Sequence, residues 1–182
     1  MKLAAAVMMA VVLGGSAQGK SDFGRQITVY FVDHASIPET VRGPAQACAS
    51  EIFARIGVKI HWKQGNPPSP ESGALAIEFV TNTPETFKPG AMGYSMPYEG
   101  VHIVVFWDRI EADPARQKVL GHVVAHEITH ILQGVGQHAD QGIMKARWTG
   151  RDHSAIGART LRFTEGDVKL IYNGMDARDA SR

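Results

Sequence analysis

The stretch His126-Glu127-Ile128-Thr129-His130 forms an H-E-x-x-H pattern inside a segment with helical periodicity. Residues four apart on an α-helix project from the same face, so the imidazoles of His126 and His130 can bind one metal ion. Neutral imidazole nitrogen is a preferred donor to zinc. Glu127 projects about 100° around the helix from His126 and can reach a water on the metal without being a ligand. The spacing therefore predicts a Zn²⁺ site beside a general base, which is the arrangement that a zinc hydrolase needs.

The helical wheel places this motif at the edge of a broad apolar arc. The arc comprises Val119, Leu120, Val123, Val124, Ile128, Ile131 and Leu132. The opposite face is predicted to be exposed and carries Lys118, Ala125, Thr129 and Gln133. An ionised Glu127 within the arc would be costly to bury unless a polar or cationic group met it there. A surface helix whose His and Glu side chains are merely solvated is therefore the less favoured alternative.

Residues 1–17 have the features of a signal peptide. Lys2 precedes an apolar run of about eleven residues, and small residues follow at the expected cleavage region. We expect cleavage after Ala17 or after Gly19 and therefore a secreted or periplasmic protein. The run is too short for a stable transmembrane anchor. A leader that stays uncleaved as an N-terminal anchor is the alternative.

The remaining chain is predicted to be a single catalytic domain over residues 20–176, followed by a flexible tail over residues 177–182. Loss of the leader takes the formal net charge from +1 to about zero, and no basic cluster is present, which argues against a nucleic-acid partner. Cys48 is the only cysteine, so no intrachain disulfide and no four-cysteine zinc site can form. No other transmembrane segment is expected, and we expect a monomer.

The order of predicted elements indicates an α/β fold. We expect a twisted mixed sheet of about four to five strands packed on two long helices. The predicted strands cover residues 26–32, 58–62, 75–80 and 101–107, with the last at an edge of the sheet. The predicted helices are residues 38–56, the metal helix from Asp113-Pro114 to its stop at Gly134, and residues 164–173 behind a capping-box-like Thr164-x-x-Asp167. Residues 83–90 and 92–98 are predicted to be irregular connections.

The third metal ligand must come from outside the helix. His138 is the first metal-capable donor after Gly134, and it is the preferred candidate because a short loop can fold it back toward His126. Asp140 and His153 are the rival donors, because carboxylate oxygen and imidazole nitrogen both bind zinc. Met144 closes the loop that follows His138.

These residues together resemble the metzincin zinc endopeptidases. That family carries H-E-x-x-H-x-x-G-x-x-H and a Met-turn beneath the metal, and His126, Glu127 and His130 match it residue by residue. Gln133 and Gly136 occupy the family's Gly and third His positions, whereas Gly134 and His138 lie one and two residues later. Met144 is similar to the Met-turn. The pattern is that of a divergent, small, secreted bacterial-type member rather than a matrix-metalloproteinase type or an archaemetzincin, whose cysteine-rich second zinc site is absent.

The resemblance implies an α+β zincin fold and the hydrolysis of peptide bonds in peptide or protein substrates. His126, His130 and His138 would be the zinc ligands, and Glu127 would be the general base toward a metal-activated water. Met144 would pack under the metal without binding it. Substrate would lie antiparallel to the edge strand, a role that falls to residues 101–106 and the preceding loop of residues 93–100. A zinc-binding but catalytically inactive recognition module and a metal-free exported binding protein are the alternatives.

Overall fold

The structure is a computed structural model that describes residues 24–69 and 72–181. The predicted signal peptide, with its cleavage sites after Ala17 and Gly19, lies outside these residues. Within the described part of the chain, no helix is both long enough and apolar enough to cross a lipid bilayer.

Five strands form one mixed sheet, as expected from the sequence. The strands are β1 (Gln26–Asp33), β2 (Lys59–Gln64), β3 (Leu75–Val80), β4 (Gly93–Ser95) and β5 (His102–Phe106). Their order across the sheet is β2-β1-β3-β5-β4. The first four strands in this order are parallel to one another, and β4 runs antiparallel to β5. Alternating side chains of β1 are buried at Val29 and Phe31, so this strand turns one face toward the core.

Within the described part of the chain, four α-helices and a short 3-10 helix (Trp107–Arg109) complete the fold. The α-helices are α1 (Glu39–Ala54), α2 (Arg116–Gln133), α3 (Gly150–Ala158) and α4 (Glu165–Ala180). One continuous cluster of buried side chains joins the inner residues of β1, β3 and β5 to α1 and α2, and it includes Ile171 and Met175 of α4. The two long helices predicted from the sequence are α1 and α2, and the predicted α/β architecture is confirmed.

The predicted position of the strand of residues 101–107 at the edge of the sheet is wrong. β5 lies inside the sheet between β3 and β4, and the edge is the three-residue strand β4. The sequence placed β4 within an irregular connection because Gly93-Tyr94-Ser95 is too short for a period-two pattern and follows a Pro- and Gly-rich segment. Any role assigned to the edge of the sheet therefore belongs to β4.

From Val119 to Leu132 helix α2 is buried on all sides, so the predicted exposed face is wrong at Ala125 and Thr129, whereas Lys118 is exposed as predicted. Ala125 and Thr129 are fully buried, and the Thr129 hydroxyl donates to the Ala125 carbonyl oxygen at 2.7 Å. The sheet, α1, α3 and α4 all contact this helix. A helix segment that other elements cover has no solvent-exposed face, so a helical wheel of its sequence cannot identify one. Gly134 ends the helix in the left-handed conformation, as predicted.

The C-terminal helix is longer than the sequence indicates. Its predicted capping box is present, with Thr164 and Asp167 bonding reciprocally to each other's backbone N–H groups. The helix then continues to Ala180, so most of the predicted flexible tail over residues 177–182 is helical. Arg178 contributes to this by donating to the carbonyl oxygens of Gly100 and Gly73, which join the end of α4 to two loops.

Candidate metal centre and active-site cleft

Three histidines converge at the end of α2. The nitrogens of His126, His130 and His138 all lie within 4.8 Å of one another. His126 and His130 occupy successive turns of the helix and are 9% and 5% exposed, whereas His138 is exposed on the following loop. A buried pair on a rigid helix thus faces a third imidazole that approaches from the solvent side.

Backbone carbonyls orient the two buried imidazoles. His126 Nδ1 lies 2.8 Å from the Ile143 carbonyl oxygen, and His130 Nδ1 lies 3.1 Å from that of Val135. A carbonyl can only accept, so both Nδ1 atoms carry the ring proton and both Nε2 atoms present a lone pair. These two Nε2 atoms face each other at 3.1 Å. Two lone pairs at that distance repel unless a cation lies between them.

Zinc fits this donor set. Two nitrogens bound to tetrahedral zinc lie about 3.3 Å apart, close to the separation of the facing Nε2 atoms. The electrostatics agree, because burial, together with repulsion from His130 and His138, lowers the pKa of His126 to about 3. Burial also lowers the pKa of His130 and of His138. All three rings are therefore neutral at physiological pH, which is the form that binds metal.

A tight loop links His138 to the helix. The Ala139 N–H donates to the Met144 carbonyl oxygen at 2.8 Å, and Ala139 forms a β-bridge with Lys145. Met144 is fully buried in the core. Because the Ile143 carbonyl accepts from His126, the same loop holds both a helix histidine and the backbone beside His138.

The rival donors lie elsewhere. Asp140 is exposed and is not part of the histidine cluster. His153 lies on α3, where its Nδ1 is 3.2 Å from a carboxylate oxygen of Asp113. Among residues 24–69 and 72–181, the group that can share one metal ion is the trio of histidines.

Glu127 is buried against the edge strand. Its side chain is 7% exposed and hydrogen-bonds to the Ser95 side chain of β4. Burial raises the pKa of Glu127 to about 7, and the hydrogen bond from Ser95 opposes that rise. A Cβ atom on Gly93 would lie 3.3 Å from Glu127 Oε1 and 2.9 Å from the Val104 carbonyl oxygen. Glycine at this position therefore lets β4 approach the carboxylate closely.

Gly93 and Ser95 lie in the loop of residues 93–100 that the sequence assigned to substrate, but their contact with Glu127 was not predicted. Trp148 is a site residue that the sequence did not reveal: its Nε1–H donates to the Ile143 carbonyl at 3.2 Å, so that one oxygen accepts from both Trp148 and His126. The rings of Trp148 and His126 meet edge to face with centroids 6.0 Å apart. The position of Trp148 four residues after Met144 was the available signal, since it lies on the continuation of the predicted turn.

A cleft of about 340 Å³ runs past these residues. It is lined by residues 90–95, by residues 145–148, and by His126, Glu127 and His130 of α2. The site thus combines a candidate metal centre, a buried carboxylate and an open groove bordered by the edge of a sheet.

Comparison with known proteins identifies the fold. No protein-family model matches this chain, and no curated protein matches it. Its structure is similar to the crystal structure of archaemetzincin from Methanopyrus kandleri, with 14% identity, a TM-score of 0.51 and coverage of 86% of this chain and 98% of that one. It is also similar to that of a zinc-dependent peptidase from Methanocorpusculum labreanum, with 13% identity, a TM-score of 0.54 and coverage of 80% and 99%.

The chain therefore shares its fold with these two proteins. The five-stranded mixed sheet, the long α2 and the C-terminal helix match the architecture expected from the resemblance. An archaemetzincin is among the similar folds, so the fold does not separate this chain from that group as the sequence had suggested. The chain nevertheless has Cys48 as its only cysteine, and a second, cysteine-rich zinc site cannot form.

Proposed function

We propose that this protein is a secreted zinc-dependent endopeptidase of metzincin-like type. The observation that carries the proposal is the pair of opposed Nε2 lone pairs of His126 and His130, with His138 and the buried Glu127 beside them. This donor set needs a cation, and a cation with three imidazole ligands and an adjacent carboxylate is the constellation of a hydrolase rather than of a structural metal site.

In this proposal His126, His130 and His138 hold zinc. Zinc bound by three histidines supplies a Lewis acid that polarises a carbonyl group and makes water a nucleophile near neutral pH. Glu127 accepts a proton from the attacking water at its carboxylate and returns it to the leaving amine. Ser95 fixes the rotamer of Glu127, and the Ile143 carbonyl fixes that of His126. Met144 fills the core below the histidines and binds no metal.

The edge strand β4 is the proposed place for the substrate backbone. Its partner β5 occupies only one of its sides, and its other side borders the cleft. An extended peptide can pair with such an edge by backbone hydrogen bonds, which places a scissile carbonyl over the histidines largely independently of side chains. The sequence assigned this role to residues 101–106 with the loop of residues 93–100, and the position of β4 at the edge of the sheet supports residues 93–95 instead.

Metal content and metal-dependent cleavage test the proposal together. We expect about one zinc per chain by elemental analysis of purified protein, in line with a single three-histidine site. A peptide library should be cleaved at internal bonds, and a chelator should abolish cleavage that added zinc restores. Protein that contains no zinc, or cleavage that a chelator does not affect, would contradict the proposal.

Export is a separate part of the proposal. Ala17 and Gly19 are the small residues available for a signal peptidase, so the exported protein should begin at Gln18 or Lys20. Intact-mass analysis of protein secreted by a bacterial host checks this. Recovery of the full-length chain from the membrane fraction would instead indicate a retained anchor.

A further inference from the structure

One segment of the cleft lining, residues 145–148, carries an arginine whose charge is not neutralised. Arg147 is exposed and lines the cleft beside Trp148. Within residues 24–69 and 72–181, no carboxylate forms an ion pair with Arg147, whereas the neighbouring Lys145 is paired with Asp152 at 2.6 Å. The charge of Lys145 is thus compensated, and that of Arg147 faces the groove.

Arg147 stands where two cavities adjoin. A second cavity of about 690 Å³ shares Gly90, Met92, Arg147 and Trp148 with the cleft, and its lining includes none of the three clustered histidines. Its lining also includes Arg109, whose Nη1 donates to the carbonyl oxygens of Lys88 and Ala91 at 2.9 and 2.6 Å. Carbonyl partners leave the guanidinium charge intact.

The balance of charge in this region is positive. Among residues 24–69 and 72–181, the lining of the second cavity contains one carboxylate, that of Glu85, and two arginines. Among the same residues, the carboxylate in the first cavity is that of Glu127, which is buried against β4. A substrate side chain that leaves the histidines along residues 145–148 therefore meets positive charge, with apolar surface from Met92 and Trp148 around it.

The segment that carries Arg147 is anchored at both ends. Before it, the Ile143 carbonyl holds His126 and Trp148, and Ala139 bonds to Met144. After it, Asp152 accepts from Lys145 and from the Thr149 N–H, which starts α3. A cation on so well-held a segment lies at a defined place relative to the metal centre, and such preorganisation favours selective binding.

We propose that Arg147 selects peptides that place a carboxylate close to the scissile bond. The planar guanidinium can bind a carboxylate through two parallel hydrogen bonds, a geometry that an amide or an ammonium group does not match. This inference rests on the proposed peptidase function. The carboxylate is either an Asp or Glu side chain within a longer peptide or the free C-terminus of a short one, since both present the same group.

The test uses the zinc-loaded protein and matched fluorogenic peptides. After a library has located a cleaved bond, Asp, Asn, Lys or Leu is placed at each of the three positions on either side, with both peptide termini blocked. We expect kcat/KM for one position to be at least about tenfold higher with Asp than with Asn, which is about 1.4 kcal/mol. The preference should shrink in 1 M NaCl because salt screens a pair at an open rim.

Charge reversal gives the sharper comparison. R147E should abolish the preference for Asp and favour Lys at the same position. Arg151 on the first turn of α3 lies outside the lining of the cleft, so R151E makes the same change in net charge and should leave the preference intact. Equal cleavage of Asp and Asn peptides at every position, or an unchanged preference in R147E, would overturn the inference.

Two further measurements complete the test. One distinguishes a side-chain carboxylate from a free C-terminus, and the other distinguishes the role of Arg147 from the peptidase function. A short peptide is compared as free acid and as C-terminal amide; a preference for the free acid alone identifies a chain terminus as the ligand. Calorimetric binding of Asp and Asn peptides to zinc-loaded E127Q requires no turnover. Absence of any cleavage by the wild-type protein counts against the peptidase proposal, whereas equal binding of the two peptides to E127Q counts against the role of Arg147.

Discussion

Two of the proposed ligands lie on a helix and the third lies on a loop, and the two regions are held in different ways. The spacing of His126 and His130 follows from helix geometry, and burial on all sides fixes α2 itself. The position of His138 depends on contacts outside the helix, such as Ala139 with Met144 within the loop and His126 with Ile143 between the helix and the loop. Local geometry thus supplies the pair, and tertiary contacts complete the site.

Removal of the loop ligand, His138, is the change with the largest expected effect, and the quantity it changes is the affinity for zinc. Loss of a residue that only supports a metal ligand lowers metal affinity about 10- to 100-fold. Because H138A removes a proposed ligand itself, we expect it to weaken zinc binding by more than about a hundredfold. H153A should bind zinc as the wild type does, because His153 pairs with Asp113 instead. Competition with a chromophoric chelator measures both affinities, and D140N serves as the control for the other rival donor.

The opposite result would assign the site differently. Zinc affinity that falls in H153A and persists in H138A would show that α3, rather than the loop after Gly134, supplies the third ligand. The helix pair would then remain while the account of the loop failed.

The helix that carries His126 and His130 is held in place by close packing of α4 on α2. A Cβ on Gly174 would lie 1.6 Å from the Leu132 carbonyl oxygen, so the two helices must separate to accept any side chain there. We expect G174A to lower the free energy of unfolding by about 3 kcal/mol, the upper end of the usual cost of overpacking. Urea-induced unfolding measures this change.

A second helical glycine provides the matched control. A Cβ on Gly157 of α3 would make an ordinary contact at 4.0 Å with Ala115, so G157A should stabilise the protein by about 0.5–1 kcal/mol through helix propensity. If G174A proves as stable as the wild type, α4 does not pack on α2 as described.

The segment that follows the His138 loop is held in part by Asp152, whose contribution to the free energy of unfolding is smaller. This carboxylate accepts from the Lys145 ammonium and from the Thr149 N–H and hydroxyl, and these contacts lower the pKa of Asp152 from 3.8 to about 2. A pKa lowered in the folded state stabilises the protein above pH 4 and ceases to do so as the pH falls toward 2. We expect D152N to cost about 1 kcal/mol at pH 7, as for loss of a helix cap.

The pH dependence distinguishes the carboxylate from a steric effect. Unfolding free energies of wild type and D152N, measured between pH 7 and pH 2, should begin to converge below about pH 4 and meet near pH 2, because the protonated carboxyl resembles the amide. A difference that stays constant over this range would show that the ionised group at position 152 does not hold this segment.

The sequence predicted the elements whose pattern is local. The H-E-x-x-H pair, the stop at Gly134, the capping box at Thr164 and the strand of residues 75–80 all follow from spacing or from a single residue type, and the structure contains each of them. The sheet with four to five strands followed from the same signals. His138 was chosen by the reach of a short loop, and the structure brings it to the helix pair.

The elements that the sequence missed are short or depend on neighbours. β4 has three residues and exists because Gly93 lets it lie against Glu127 and pair with β5. Ala125 and Thr129 were placed on an exposed face because a helical wheel does not contain the elements that cover it. Helix α3 was missed although Thr149-x-x-Asp152 is a capping box of the same kind as the one recognised at Thr164.

The end of α4 was missed for a related reason. Residues beyond Asp176 are mostly polar and show no apolar stripe, so the periodicity ends before the helix does. Contacts of Arg178 with Gly100 and Gly73 hold this last turn, and such contacts have no signature in the sequence alone.

The central claim is that Glu127 acts as a base beside a metal held by three histidines. The most direct measurement is kcat/KM of zinc-loaded E127Q against the wild type on one cleaved peptide, with zinc content measured on the same samples. E165Q, which changes an exposed glutamate at the start of α4, is the control. The account predicts unchanged zinc and a loss of at least about a hundredfold in E127Q, the usual scale for a general base. Cleavage by zinc-loaded E127Q at the wild-type rate would contradict it.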